Sequence, residues 1–438
     1  MDREVVPVSF HTASSRREPA ERNMATRRAK ISQSAAAADR ITALPLDLRA
    51  RIVSYLPFRE VVQLSTLSQS WRHIHHQVPV VDLDLREFVA FQEHIIDEEL
   101  AIPGIVDDDT LLGIRVALAH RAREGIGSKV ETMRLAYSAG DPRVKRHADR
   151  LIALADAPKI RLNVSFAAVD RLPKRWNWKV DLPPAARHLK IRSLDFLKPT
   201  PTIAGPGAAG LRELYLHNVT LREWPRLPSL RALRLSTVTA TRPFTPGASC
   251  PLLEHLDIWG STIKHPRVDI RLPHLKNLDM DDVNIEQSSD FLVPYGDVTV
   301  DAPELEELMV NCRTGWTVEY KSFTLHAPAM RCLRWFEQFA EIVRIDVGKP
   351  GSVSRGTIQF TSNGELEEMR CREMKYYRAQ MIEMLHGLLP HLPPWIVADI
   401  ARPYMTSETR TVMDEALEEM VPEETLTCDL GRLMSRDV

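Results

Sequence analysis

Three histidines, His73, His75 and His76, form the densest group of side chains that could bind a metal or move a proton. A zinc site needs further cysteine, histidine or carboxylate ligands at close spacing, and a catalytic histidine needs a nucleophile or an orienting carboxylate beside it. No cysteine or carboxylate stands at such a spacing from this group. We therefore predict no metal site and no catalytic residue here.

The remaining sequence also lacks the motifs that carry enzyme chemistry. It contains no Walker A sequence, no dinucleotide fingerprint, no His-Glu-x-x-His and no Gly-x-Ser-x-Gly. Its five cysteines are odd in number, far apart and free of Cys-x-x-Cys pairs, which favours reduced thiols in the nucleus or cytoplasm over a disulfide framework. We predict that the chain is not an enzyme and binds no cofactor.

One stretch could contact nucleic acid. Residues 174–179 interleave lysine and arginine with Trp176 and Trp178, a composition that can stack on bases. The chain as a whole has a formal net charge of −2, so no global field attracts it to nucleic acid or to a membrane. We expect the tryptophans to pack in the interior, and we predict neither a nucleic-acid nor a membrane partner. An RNA-binding repeat protein is the alternative.

The amino-terminal residues, 1–38, differ in composition from the rest of the chain. They mix arginine and lysine with serine, alanine and proline and contain little that could build a core. We predict a disordered basic tail. No run of about 18 apolar residues occurs, and no apolar stretch near Met1 indicates a signal peptide.

Residues 39–78 have the pattern of three short helices. In the first, leucine or isoleucine recurs every four residues, which places one apolar stripe along a helix between Pro45 and Pro57. The second continues to Leu67, and Ser68 is a suitable N-cap for a third that carries Trp71. Helices this short cannot bury two apolar faces among themselves, so another part of the chain or a partner must cover the remainder.

This segment resembles an F-box, the module that attaches a protein to a cullin-based (SCF) ubiquitin ligase. Its Leu-Pro pair and its Leu-Ser-x-x-Trp-Arg end are similar to those of plant F-box proteins with leucine-rich repeats, although Phe58 replaces a usual small polar residue. The resemblance implies that a Skp-family adaptor, which bridges to the cullin, docks on the apolar residues of the first two helices. By motif position these are Leu44, Pro45, Leu48, Ile52, Leu56, Val61, Val62 and Leu64. Trp71 is expected to pack on the module's own core.

The middle of the chain repeats the spacing Leu-x-x-Leu-x-Leu. Successive copies start 19, 23, 22, 30 and 25 residues apart, close to the period of leucine-rich repeats. In each copy the last two apolar residues alternate along a short strand, so both point into the interior and neighbouring copies must stack. The clear copies begin at Leu211, Leu230, Leu253, Leu275, Leu305 and Met330, and weaker ones begin at Val130, Ala157 and Ala186.

The alternation also predicts which side chains face outward. Residues between and after the inward pair lie on the open face of the sheet, where mixed charges and aromatics are typical of protein recognition. We predict that a target protein binds there. The residues chosen for this contact are Tyr215, Arg234, Asp257, Trp259 and Asp281.

These patterns predict an α+β protein. A three-helix F-box at 39–78 is followed by an irregular leucine-rich-repeat solenoid at 79–355, with parallel strands joined by helical and 3₁₀ connections, and by a strand and a helical cap at 356–438. The last section resembles that of grass F-box proteins. The resemblance implies the substrate-recognition subunit of an SCF ubiquitin ligase, whereas the alternative is a non-enzymatic repeat scaffold that acts outside a cullin complex.

Overall fold

A computed structural model describes most of the chain between residues 41 and 359. The described residues are 41–90, 105–106, 108–124, 129–166, 178–194, 198–285, 296–312, 320–336, 338, 340–349 and 352–359. The chain forms two compact units that divide between Val78 and Pro79. The predicted basic tail, Trp176 and the helices of the predicted cap lie outside the described residues.

The first unit consists of short helices. Its first two helices match the prediction, but the third is divided into a 3₁₀ turn and a single α-helical turn. The break falls at His73, whose φ of −113° and ψ of 11° are not those of a helix. The helices are α1 at Leu46–Val53, α2 at Phe58–Leu67 and α3 at Ile74–Gln77, and the 3₁₀ turn is Gln69–Trp71.

Prolines set the starts of the two longer helices. Pro45 and Pro57 occupy the N-cap positions, one residue before the first helical turn. Because α1 spans only eight residues, Leu44 precedes it and Leu56 follows it, so the predicted stripe extends beyond the helix at both ends. The core of the unit is formed by Ala50, Val53, Val61, Ile74 and Val78, with Leu64 and Trp71 packed against it.

The second unit is built on one parallel sheet of eleven strands, stacked in chain order. The inward residues of the repeats form two columns, and their described members are buried from Val81 to Trp335. This arrangement is compatible with a solenoid. The strands are β1 Val80–Asp84, β4 Thr132–Ser138, β5 Lys159–Ser165, β7 His188–Ser193, β9 Glu213–His217, β11 Ala232–Ser236, β13 His255–Trp259, β16 Asn277–Asp281, β19 Glu307–Asn311, β21 Cys332–Phe336 and β23 Arg355–Gln359.

The connections between these strands change character along the chain. Early ones contain the helices α4, Asp108–Glu124, and α5, Pro142–Ala155, as the sequence predicts for both regions. The apolar pattern of residues 88–100 predicts a further helix, which is wrong at Val89–Ala90, where a short strand stands instead. That strand is β2, Val89–Ala90, which pairs with β3, Ile105–Val106. A second two-stranded sheet is formed by β6, Trp178–Asp181, and β8, Pro201–Ala204.

Later connections are strands rather than the predicted helical segments. They form two further parallel sheets of four strands each, and 3₁₀ turns precede long-sheet strands at Ala208–Gly210, before β9, and at Pro246–Ala248, before β13. The physical reason is that apolar residues alternate with polar ones, as at Val268 and Ile270. In a strand such alternating residues all point to the same, buried side. The strands are β10 Thr220–Leu221, β12 Thr239–Ala240, β14 Thr262–Ile263 and β17 Asn284–Ile285, then β15 Arg267–Arg271, β18 Gly296–Asp301, β20 Tyr320–His326 and β22 Ala340–Asp346.

A left-handed residue turns the chain at the end of four consecutive long-sheet strands. Asn218, Thr237, Gly260 and Asp282 have φ between 51° and 56°. Each donates its N–H to a carbonyl at the end of the next strand, as Asn218 does to Ser236 at 2.9 Å. The corner therefore carries its own hydrogen-bond ladder, which links one repeat to the next.

The carboxy-terminal strand belongs to the same sheet. β23 pairs in parallel with β21, as expected for a strand at residues 357–360 but starting two residues earlier. The predicted domain boundary between residues 355 and 356 falls inside this strand.

Candidate protein-binding surfaces

The outward side of α1 is apolar. Leu48 and Ile52 lie four residues apart on one side of the helix and are 43% and 45% exposed. Ala50 and Val53 lie on the opposite side and are buried in the unit's core. The inner face of α1 therefore holds the fold together, and its outer face presents aliphatic side chains to solvent.

Further apolar side chains extend this surface beyond the predicted residues. Leu46 on α1 and Leu56 after it are exposed, and Tyr55 between them is 90% exposed. Pro45 is exposed as well, and Leu44 is half-buried. The sequence analysis did not name Leu46 and Tyr55 because they fall off the four-residue stripe. We call the set Leu46, Leu48, Ile52, Tyr55 and Leu56 the α1 face.

The predicted residues of α2 divide between the surface and the core. Val62 and Leu64 are half-buried, and Leu64 packs against the core cluster. Val61 is a member of that cluster and is buried. Its prediction as an adaptor-contacting residue does not fit this position, because the inner face of α2 is already occupied by the unit's own helices.

Trp71 fixes the 3₁₀ turn to the core, as expected. The guanidinium carbon of Arg49 lies 5.5 Å from the centre of the Trp71 ring, and Arg49 Nη1 donates a 2.9 Å hydrogen bond to the carbonyl of Ser70. A cation over an indole adds to the packing of the ring itself. This contact joins the turn to α1 and holds the helix with its apolar face outward.

The three histidines contact one another, with His73 and His76 stacked and His75 tilted against His76. The ring centres of His75 and His76 are 4.0 Å apart, and those of His73 and His76 are 6.0 Å apart. Within the described part of the chain, no group of three or more His, Cys, Asp or Glu side chains could hold a metal ion.

The outer face of the long sheet carries a continuous central column of side chains in register. The residues of this column, given next, are together called the sheet face. From β1 to β21 the column reads Asp82, Arg134, Arg161, Lys190, Tyr215, Arg234, Asp257, Asp279, Met309 and Arg334.

Four of the five predicted target-binding residues are accessible on or beside this column. Arg234 and Trp259 are exposed, and Tyr215 and Asp257 are half-buried. Asp281 is instead buried, and its Oδ1 accepts a 3.0 Å hydrogen bond from Asn311 Nδ2 on the adjacent strand. This side chain stabilises the edge of the face and is not available as a contact.

Charges on the sheet face are segregated by sign. Arg134, Arg161 and Lys190 stand directly opposite one another on three adjacent strands, with Arg192 beside them. Asp257 on β13 and Asp279 on β16 also stand directly opposite one another. These strands are the fourth and fifth beyond β5 in the sheet. Like charges directly opposite on neighbouring strands destabilise a sheet. The face therefore has a basic end and an acidic middle, each offset in part by one opposite charge: Asp82 lies 3.4 Å from Arg134, and Arg234 lies 3.6 Å from Asp257.

The acidic part of the face is hollowed. Strands β11 to β21 surround a depression of about 390 Å³, with Arg234 and Arg334 at its two ends and Asp257, Asp279 and Glu307 between them. Burial raises the pKa of Asp257, while Arg234, whose Nε lies 3.6 Å from Asp257 Oδ2, opposes that rise. Such a hollow can hold one cationic side chain.

The basic end combines cations with an aromatic pair. The Lys190 ammonium lies 4.5 Å from the centre of the Tyr215 ring, and Tyr215 stacks with His217. Burial lowers the pKa of His217, and the charges of Arg192 and Lys190 lower it further. His217 therefore stays neutral to lower pH, and the positive charge of this end comes from arginine and lysine.

Trp178 is buried, as expected of a tryptophan that packs in the interior. Its indole N–H donates a 3.2 Å hydrogen bond to the Tyr137 hydroxyl, and its ring contacts Phe166 edge-on at 5.7 Å. A base cannot reach this ring from the surface.

Comparison with known proteins explains the first unit. The F-box domain family model matches residues 41–74. Residues 41–74 are an F-box domain. An F-box/LRR-repeat protein of Arabidopsis thaliana is 36% identical to this chain over 55 residues, which make up 13% of this chain and 11% of that relative. No solved structure matches the chain.

The F-box domain thus coincides with the helical unit that carries the α1 face. As a general property, F-box domains bind Skp-type adaptors in SCF complexes, and F-box proteins are adaptors rather than enzymes. No helix among the described residues is long and apolar enough to cross a membrane.

Proposed function

We propose that this protein is the substrate-recognition subunit of an SCF-type ubiquitin ligase of a plant. The F-box domain binds a Skp-family adaptor, and through it a cullin, while the leucine-rich repeats bind a target protein. The single observation that carries the proposal is the α1 face, which lies within the matched domain and remains exposed to solvent. Assignment to the grass type rests on the section after residue 356 and remains a prediction.

Energetics favour a partner at the α1 face. Complete burial of a leucine or isoleucine side chain contributes about 1.5–3 kcal/mol, so residues that are already half-buried still gain roughly 1 kcal/mol each when a partner covers them. Exposed apolar side chains such as Leu48, Ile52, Tyr55 and Leu56 mark protein interaction sites, whereas Leu46 starts the opposite side of α1. The residues proposed to contact the adaptor are Leu44, Pro45, Leu48, Ile52, Leu56, Val62 and Leu64, with Leu46 and Tyr55 added.

The sheet face supports the proposed target binding. Its like-charged rows are offset only in part within the free protein, by Asp82 beside Arg134 and Arg234 beside Asp257, so a ligand of complementary charge adds favourable contacts. We infer a target that places acidic groups over Arg161, Lys190 and Arg192 and a basic side chain over Asp257 and Asp279. Tyr215, Arg234 and Trp259 complete the proposed contact.

Catalysis does not require a residue of this chain. The proposed role is to hold the target near the ubiquitin-carrying partner, which accelerates transfer through proximity. The proposed location is the nucleus or the cytoplasm.

Adaptor binding tests this function directly. We expect Leu48→Ser with Ile52→Ser to abolish co-purification with a Skp-family adaptor, because two aliphatic contacts are replaced by hydroxyls that must lose water. The matched control is Leu252→Ser, since Leu252 is also 43% exposed but lies in the second unit. The control should bind the adaptor like the wild type, and circular dichroism should show all three proteins folded.

Unchanged adaptor binding by the double variant would contradict the proposal. If the wild type recovers the adaptor but no cullin, the alternative function is favoured, namely a non-enzymatic repeat scaffold acting outside a cullin complex.

A further inference from the structure

Five basic side chains line one depression between α4 and α5 in the second unit. The depression has a volume of about 320 Å³ and is lined by Leu112, Arg115, Arg143, Arg146, His147 and Arg150. It is separate from the α1 face and from the sheet face, none of whose residues line it. A pocket in which five of six lining residues are basic differs from the mostly apolar pockets that bind neutral small molecules.

The spacing of basic residues along α5 places them in one row on the helix. Arg143, Arg146, His147 and Arg150 follow the i, i+3, i+4, i+7 pattern and lie along one side. The buried side is apolar, from Val144 to Ala155. Like charges at these spacings repel one another, and cations in the first turns of a helix oppose its dipole. The row therefore weakens the free helix, and an anion would reverse that effect.

At least one arginine N–H group in the depression is able to donate a further hydrogen bond to a ligand. Arg115 Nε is buried and has no hydrogen-bond partner within the described residues. Arg143 pairs with the Asp141 carboxylate at 3.2 Å, which offsets one positive charge of the row, and Arg146 Nε donates to the neutral Pro142 carbonyl at 3.3 Å, which orients its side chain. Arg143, Arg146 and Arg150 are only three or four residues apart, close enough for two or more of them to hold one phosphate through paired N–H groups.

The lining also narrows the class of ligand. It includes no tryptophan, tyrosine or phenylalanine, so a nucleobase would find no stacking platform. The volume is at the lower end of the range for small-ligand sites, about 300–1,000 Å³. From this geometry we propose that the depression binds a compact group bearing two or more phosphates. This site does not depend on the function proposed above.

Such a group could belong to a free metabolite or to a lipid. Leu112 on the rim and Val116 one turn of α4 away are both exposed, and aliphatic side chains beside a basic pocket suit insertion into a membrane surface. The phosphate chemistry is the same in both cases, so the experiment must separate the two sources.

Titration calorimetry of the full chain with sodium tripolyphosphate at near-physiological salt tests the site. We expect Arg146→Glu with Arg150→Glu to weaken binding about a hundredfold, tenfold for each lost charge-assisted contact. The matched control is Arg242→Glu with Arg267→Glu, which changes net charge equally at exposed positions outside the depression. Its affinity should change by less than about twofold.

Flotation with phosphatidylcholine vesicles containing phosphatidylinositol bisphosphate separates the sources. Loss of vesicle binding in Leu112→Ser, with tripolyphosphate binding unchanged, supports a lipid headgroup. Tripolyphosphate binding without vesicle binding supports a free ligand. The proposal is overturned if the wild type binds neither probe, or if the control and the double variant lose affinity equally. Adaptor binding should be unaffected in every case, which keeps this result separate from the F-box test.

Discussion

The F-box domain and the sheet unit expose surfaces of opposite character. The outer side of α1 presents leucine, isoleucine and tyrosine, whereas the outer face of the long sheet presents rows of arginine and lysine followed by aspartate. Both surfaces sit directly above a well-packed core. The difference therefore does not come from poor folding in one unit, and the two surfaces suit different kinds of proposed partner.

The two chemistries suit two kinds of binding. An apolar patch gains affinity by excluding water and discriminates little, which fits an adaptor that is the same in every complex. Segregated charges discriminate between partners by sign and position, and they contribute to encounter rates. The contrast between the α1 face and the sheet face thus matches the contrast between a constant partner and a selected one.

The largest expected effect is a loss of stability when a core tryptophan of the sheet unit, and not a surface one, is replaced. Trp335 is fully buried, donates its indole N–H to the Gln338 carbonyl at 2.7 Å and meets Phe323 edge-on. We expect Trp335→Ala to lower the free energy of unfolding by about 3–5 kcal/mol. Trp259, exposed on the sheet face, is the matched control. Urea denaturation of both alanine variants measures the difference, and equal losses would contradict the assignment of Trp335 to the core.

A charge reversal tests whether the basic end is kept for binding. Arg161 stands between Arg134 and Lys190, so Arg161→Glu replaces two like-charged pairs with opposite ones. We expect the free energy of unfolding to rise by roughly 0.5–1 kcal/mol, while recovery of targets by proximity labelling falls. In the same column, Arg234→Glu places a carboxylate beside Asp257 and should instead destabilise the protein by a similar amount. Destabilisation by Arg161→Glu in chemical denaturation would refute the account.

The smallest expected effect concerns the corners of the repeats. Thr237 is β-branched and has a φ of 51°, a conformation that asparagine tolerates better. Thr237→Asn should therefore raise the free energy of unfolding by about 0.5–1 kcal/mol. The reverse change at the equivalent corner, Asn218→Thr, should lower it, as thermal denaturation can show. A fall in the free energy of unfolding for Thr237→Asn, or a rise for Asn218→Thr, would indicate that the corner conformation does not limit stability.

The sequence predicts the inward residues of the repeats well because their spacing is compatible with only one arrangement of the chain. Two apolar residues separated by one position can be buried together only on a strand, and the same spacing in successive copies fixes the register. The later connecting strands were missed even though alternation such as Val268 and Ile270 was present in the sequence. In one of the two sheets each strand has only two residues, such as Thr220–Leu221, and only pairing with its neighbours in the adjacent connections makes it a sheet.

The candidate surfaces were predicted less completely. Motif position alone does not tell which side of α2 faces inward, so the predicted adaptor contact of Val61 disagrees with its place in the core of the F-box domain. Asp281 was assigned to the target contact, but its burial depends on Asn311, a residue on the next strand. The basic row of Arg134, Arg161 and Lys190 was overlooked because its repeats are the weak copies, which become aligned only through the parallel register.

Amide hydrogen exchange of the full chain, with and without a Skp-family adaptor, tests the central claim most directly. The account predicts that the adaptor slows exchange in α1 and in the segment from Ser54 to Leu56, where the α1 face lies. Exchange in the strands of the long sheet should not change. Protection confined to the sheet strands, or no protection in α1 under conditions where the complex forms, would contradict it.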